Sequence, residues 1–171
     1  MPRSDGEFDA FVRKDHAALV LHLAVLGFDQ QLAQDAAQEA VTMLYLDWGD
    51  IDDPRSWVRL VGRRTAIRLH EREARQRRLL AEASRQDSAV PGHDPDQRAQ
   101  ERNEEDAVLA ALRSLPEAQR AVMAWHFDGF DAEEIAAFVG KPAATVRSHL
   151  RHARNRLRSV RSGNQQEGGA T

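Results

Sequence analysis

The stretch FDAEEIAAFVGKPAATVRSHLRHARNRLR, residues 130–158, leaves its backbone few choices. Asp131 can cap a helix, Glu134 three residues on can reach back to complete a capping box, and Gly140 supplies a left-handed exit. A second helix must follow at once, because Gly140 and Lys141 alone separate the pair, which has the length and spacing of a helix-turn-helix. At about 100° per residue, Val146, Leu150, Ala153 and Leu157 fall in one narrow apolar arc, and Arg147, Arg151, Arg154 and Arg158 form a stripe along its flank. One side packs on its own domain; the other presents guanidinium groups, which pair two-pronged with guanine O6 and N7 and with phosphate. A solvated basic face or a membrane-surface helix is the alternative. The capped helix in front and the lack of a large aromatic edge favour a DNA major groove.

The rest of the chain also reads as helix. Apolar residues recur at spacings of three and four through Phe8, Phe11, Leu19, Leu23 and Leu26, through Ala36, Ala40 and Leu44, and through Trp57, Leu60, Val61 and Ile67. No segment alternates as a strand would. Gly27 and GDIDDP, residues 49–54, are breaks, with a helix expected to restart near Arg55, and Pro116 suits the first turn of another. SRQDSAVPGHDPDQRAQERN, residues 84–103, reads as a flexible linker, and SGNQQEGGAT, residues 162–171, as a disordered tail. The expected fold is all-α: two small helical domains, residues 1–83 and 104–161, joined by that linker.

A net charge of −3 conceals an alternation. Residues 1–54 hold 3 basic and 11 acidic side chains, residues 55–85 hold 10 against 3, residues 86–140 hold 4 against 12, and residues 141–161 hold 7 against none. Two basic blocks in a net-acidic chain suggest two polyanion contacts, with acidic surfaces left for another partner. The opposed blocks also suggest a compact state in which they mask each other. The chain has no cysteine, which excludes disulfides and thiolate zinc sites. The seven histidines are scattered without a HExxH pair, so no metal is expected. No glycine loop for nucleotides, nucleophile arrangement or metal-ligand spacing points to an enzyme, and neither catalytic residues nor a cofactor are expected. No apolar run approaches the ~20 residues of a membrane span and the start lacks the parts of a secretory signal, so a cytoplasmic protein without membrane insertion is expected.

In the first half, Asp35, Gln38 and Glu39 share a helix face, and a basic helix, WVRLVGRRTAIRLHER at residues 57–72, follows the acidic turn. A protein contact beside a DNA contact suits a bridging factor. A conventional helix-turn-helix regulator would account for the second half alone. Trp57 and Trp125 read as core, whereas Trp48, at the mouth of the acidic loop, reads equally as core or as a stacking surface.

DAAQE at residues 35–39 resembles the DxxQE signature of region 2 of the extracytoplasmic function, or group IV, sigma factors of bacterial RNA polymerase. DDPRSWVRLVGRR at residues 52–64 is similar to that family's PrxWLxxIArN stretch, and LPEAQRAV at 115–122 with residues 128–158 resembles the two ends of region 4. The resemblance covers roughly Phe8 to Val160. It implies that Asp35, Gln38 and Glu39 bind the clamp helices of the beta-prime subunit, with the beta flap as a further contact on the core enzyme. It implies that Trp48, Arg55, Arg59, Arg63, Arg64 and Arg68 capture and melt the minus-10 element of promoter DNA. Thr145, Arg147, Ser148, Arg151 and Arg154 fall where the family reads the minus-35 element, and an anti-sigma factor is a further partner to be looked for. Arg64 and Arg68 stand where the family usually has asparagine and aspartate, Ala144 where glycine is common and His149 where arginine is.

Overall fold

Ser4 opens the first helix. Its hydroxyl accepts the Glu7 N–H at 3.4 Å while the Glu7 carboxylate accepts the Ser4 N–H at 2.7 Å, a reciprocal cap from which α1 runs over Asp5–Leu26. Asp29 caps α2, Gln30–Leu46, by accepting the Leu32 N–H at 2.9 Å. Asp53 accepts the N–H groups of Arg55 and Ser56, and Pro54, with no N–H to satisfy, begins α3, Pro54–Gln86. The second half holds α4, Glu104–Arg113; α5, Glu117–Phe127; α6, Ala132–Val139; and α7, Ala143–Glu167. This computed structural model describes residues 4–86 and 104–167, with side chains for residues 4–83 and 107–159, and among the described residues there is no strand.

Helices α1 to α3 pack around Leu19, Leu23, Leu32, Leu44 and Val58, with Ala33, Ala36, Ala37 and Ala40 forming a small-residue face on α2. Close approach of α3 depends on Gly62. A Cβ there would lie 3.3 Å from Leu19 Cδ1 and 3.5 Å from Leu23 Cδ1, two side chains locked in the core. Helices α4 to α7 enclose an aromatic core in which Trp125 stacks on Phe138 at 4.4 Å and meets Phe130 edge-on at 5.3 Å. The two cores touch. Val25 of α1 is buried in the second one, with Leu26 and Leu60 against its edge, and Arg113 of α4 donates to the carbonyls of Ala24 at 3.2 Å and Phe28 at 2.9 Å.

Two sequence expectations are corrected in extent. Helix α3 continues through Gln86, past the expected linker boundary at Ser84; residues 87–103 lie outside the described residues. Helix α7 continues through Glu167, where a disordered tail was expected from Ser162, and residues 168–171 lie outside the described residues. Helix propagation is far easier than nucleation, and Gln165, Gln166 and Glu167 are good helix formers that extend an established helix past one glycine.

The helix-turn-helix is capped as its residues require. Asp131 accepts the N–H groups of Glu133 and Glu134 at 2.9 Å each, Glu134 accepts the Asp131 N–H at 2.8 Å, and Gly140 adopts φ 65°. Asp131→Ala is expected to cost about 1 kcal/mol through the lost cap. Urea unfolding followed by circular dichroism measures it; an unchanged midpoint would show that the cap contributes nothing.

Candidate nucleic-acid interface

On α7 the apolar arc is inward: Val146, Leu150 and Ala153 are buried and Leu157 is partly so. Arg147, Arg151, Arg154 and Arg158 are all exposed on the flank, and Thr145 and Ser148 are half-buried beside them. Arg147 Nη1 pairs with Glu133 of α6 at 2.6 Å, and Arg154 Nη2 lies 2.8 Å from His126 Nε2 of α5. Both contacts are exposed, so they orient the side chains at a cost to release of about 1 kcal/mol or less.

In the first half, Asp35 and Gln38 are exposed on α2, and Gln31 donates to Asp35 at 2.9 Å. Glu39 pairs with Arg68 of α3, so the acidic face and the basic helix share one ion pair. Arg63, Arg64 and Arg68 are exposed on α3. An open hollow of about 590 Å³ adjoins that helix's first turn, bounded among others by Phe11, Lys14, Trp48, Pro54 and Arg55.

Two of the expected minus-10 residues sit differently. Trp48 is 8% exposed; its ring meets Phe8 edge-on at 5.2 Å and its Nε1–H donates to the Ser4 carbonyl at 3.3 Å. It belongs to the core and only borders the hollow. Arg59 is fully buried and touches no solvent from which DNA could approach in this conformation.

All the donors of the Arg59 guanidinium are engaged. Nε and Nη2 donate to Asp128 at 2.6 and 2.9 Å, Nη1 and Nη2 donate to Asp15 at 2.6 and 3.2 Å, and Nη1 also donates to the Arg55 carbonyl at 2.9 Å. His22 of α1 places Nδ1 2.7 Å from the same Asp128 carboxylate. Arg55, half-exposed, lies 3.7 Å from Asp15, donates to the Asp128 carbonyl, and sets its guanidinium 5.0 Å from the centre of the Phe130 ring. Burial pushes the Asp128 carboxyl up, but hydrogen bonds from His22 and Arg59 and the Arg59 charge hold it below the usual carboxylate range. Burial likewise pulls Arg59 down, and the bonds and charges of Asp128 and Asp15 outweigh it and raise it. Asp15, His22 and Asp128 were not among the residues expected from sequence. The one visible signal is that Asp15 and His22 fall on the apolar face of α1, in step with Phe8, Phe11 and Leu19.

Residues 105–157 match the family described as Sigma-70, region 4. The chain is similar to the RNA polymerase sigma-E factor of Streptomyces coelicolor, 31% identical over 153 residues that cover 89% of this chain and 84% of the relative. It is also similar to the probable ECF RNA polymerase sigma factor SigI of Mycobacterium tuberculosis, 32% identical over 155 residues, which cover 85% of this chain and 53% of that protein. In fold it resembles the sigma factor RpoE from Bartonella quintana, crystallised in complex with the anti-sigma factor NepR, with a TM-score of 0.64 and 19% identity over 91% of this chain and 97% of that one.

The buried cluster makes stability acid-sensitive. With its folded pKa held below the ordinary 3.8, Asp128 contributes fully above that value, and the contribution is lost as pH falls through the lowered folded value. Asp128→Asn is expected to be less stable by about 3–5 kcal/mol at neutral pH, because Arg59 loses a buried partner. Urea unfolding at a series of acid pH values should show a steeper loss below about pH 4 in the wild type than in the variant. Parallel curves would mean that Asp128 is not ionised in the fold.

Proposed function

The chain belongs to the extracytoplasmic function sigma factors, and on that premise we propose how its surfaces divide the work of promoter recognition. It binds the core of bacterial RNA polymerase and directs promoter-specific initiation, contributing recognition and strand separation while the polymerase supplies the chemistry. Its partners place it in the bacterial cytoplasm. The observation that carries the reading is the arginine ridge of α7, presented outward by a capped helix-turn-helix in a chain that also carries an exposed DxxQE face.

Residues 1–83 form the unit for polymerase binding and the minus-10 element. Asp35, Gln38 and Glu39 meet the clamp helices of beta-prime, with Glu39 exchanging Arg68 for the polymerase, a swap made cheap by exposure of the pair. Arg63, Arg64 and Arg68 hold the backbone of the separated strand, and the hollow beside Phe11, Trp48 and Arg55 receives a base turned out of the stack. Residues 104–161 form the minus-35 unit, whose second face meets the beta flap. Arg147 and Arg151 read base edges in the major groove, Thr145 and Ser148 supply hydroxyl contacts, and Arg154 adds salt-dependent phosphate affinity. Residues 87–103 connect the two halves in the chain, and two DNA contacts on one chain suit two promoter boxes at a fixed separation. An anti-sigma factor is the natural kind of antagonist for such surfaces.

Reconstituted transcription tests this. Purified protein is added to bacterial core RNA polymerase on a library of genomic fragments, and start sites are mapped. New start sites should share two upstream boxes. Gln38→Ala/Glu39→Ala should lose initiation through weaker core binding, and Arg147→Ala/Arg151→Ala should lose at least about tenfold at the upstream box, since a good base contact is worth about 1–3 kcal/mol. Retention of a duplex sequence by the protein alone, with no new start sites from core enzyme, would instead identify a conventional DNA-binding regulator.

A further inference from the structure

The Arg59 cluster joins the two halves of the chain. Arg59, Arg55, Asp15 and His22 belong to α1 and α3, whereas Asp128 and Phe130 lie between α5 and α6. Two guanidinium groups and two carboxylates balance there, and the Arg59 and His22 side chains are wholly removed from solvent. Around it the seam is apolar, with Val25 buried among the residues of the second core. At the far end Arg113 holds the α1 C-terminus through two backbone carbonyls.

We infer that this cluster is a latch that keeps the free chain closed, with Asp128 and Phe130 occupying the arginines that single-stranded DNA would otherwise engage. The inference rests on the proposed minus-10 role of the first half and on the family resemblance that sets both Arg55 and Arg59 among its contacts, with Arg59 reaching DNA only once Asp128 has left. Asp128 presents to Arg59 the same chemistry as a nucleic-acid phosphate, an anionic pair of oxygens matched to the planar fork. The two ligands are therefore mutually exclusive at Arg59. Arg55 is held in the same way, by the Asp128 carbonyl and the face of Phe130, both of which leave with the second half. Closure lowers the apparent affinity of the free chain for DNA in proportion to the open fraction, so a factor waiting for polymerase would be kept off stray single strands. Because the ions are buried, added salt should not open the latch as it would separate two exposed charge blocks.

The absence of native cysteine allows a unique pair of labels, at Ala17→Cys on α1 and Asn155→Cys on α7, both exposed positions. Energy transfer between them is measured in the free full-length chain from low to high salt, together with binding of a fluorescein-labelled single-stranded DNA oligonucleotide. The wild type should show high transfer that salt does not change. Asp128→Ala should lower the transfer and raise affinity for the oligonucleotide at least about tenfold, as expected when a closed fraction of nine-tenths or more is released. Arg113→Ala, an exposed position that loosens the seam from its other end, should move both readouts in the same direction; it decides the matter if Asp128→Ala does not fold by circular dichroism. Unchanged transfer in a folded variant, or opening without tighter DNA binding, overturns the latch. Polymerase is absent from these measurements, so their failure is distinct from a failure of the promoter reading, which transcription with core enzyme tests by itself.

Discussion

Arg59 spends every N–H it has on two carboxylates and one carbonyl, and the relative position of the two helical halves depends on that arrangement. A lysine could not substitute. Its single ammonium is a point charge with three donors, whereas the planar guanidinium faces Asp15 along one edge and Asp128 along another. Burying these ions without one another would cost several kcal/mol each, so the cluster is stable only when both halves are present together. That gives the contact directionality: Val25 and Leu60 could slide against another apolar surface, whereas the Arg59 fork takes one bidentate carboxylate from each half at fixed distances.

The surfaces outside the cluster follow a different rule. Glu39 with Arg68 and Glu133 with Arg147 are exposed pairs, each weak enough to be traded for a partner's charges. They hold long side chains in place on rigid helices. α7 is set by its buried arc against α5 and α6, and α2 by its alanine face against α3 and Gly62, so that each functional ridge is fixed from behind by tight packing. Cheap release at the surface and costly release in the seam separate binding from rearrangement.

Much of this was legible locally. The cap, the glycine exit and the arc of α6 and α7 depend on residues a few positions apart, and the local signals agree with the tertiary packing. What was not legible lies across the chain. Asp15 and Asp128 stand 44 and 69 residues from Arg59, and a basic block read along the sequence gives no sign that one of its arginines turns inward. Asp15 fills the place in the apolar rhythm of α1 between Phe11 and Leu19, where an aliphatic side chain would be expected, and a charge in that register already asks for a buried partner. Trp48 was ambiguous for a related reason: a tryptophan at a loop mouth serves equally as base platform or core, and only the folding back of Phe8 and Phe11 onto it decides. The length of α7 was underestimated because composition weighs a glycine and polar residues as disorder, while a helix already formed needs little to continue.

The seam also distributes the chromophores unevenly. Trp48 and Trp57 pack within the first core, and Trp125 meets His22 of α1 edge-on at 4.9 Å across the boundary, so the indole of the second half is in van der Waals contact with an imidazole of the first. Separation of the halves would take that imidazole away and admit water to one indole while leaving the other two as they were. The emission spectrum of the unlabelled protein thus carries an intrinsic optical signature of its own domain arrangement, assignable to a single side chain.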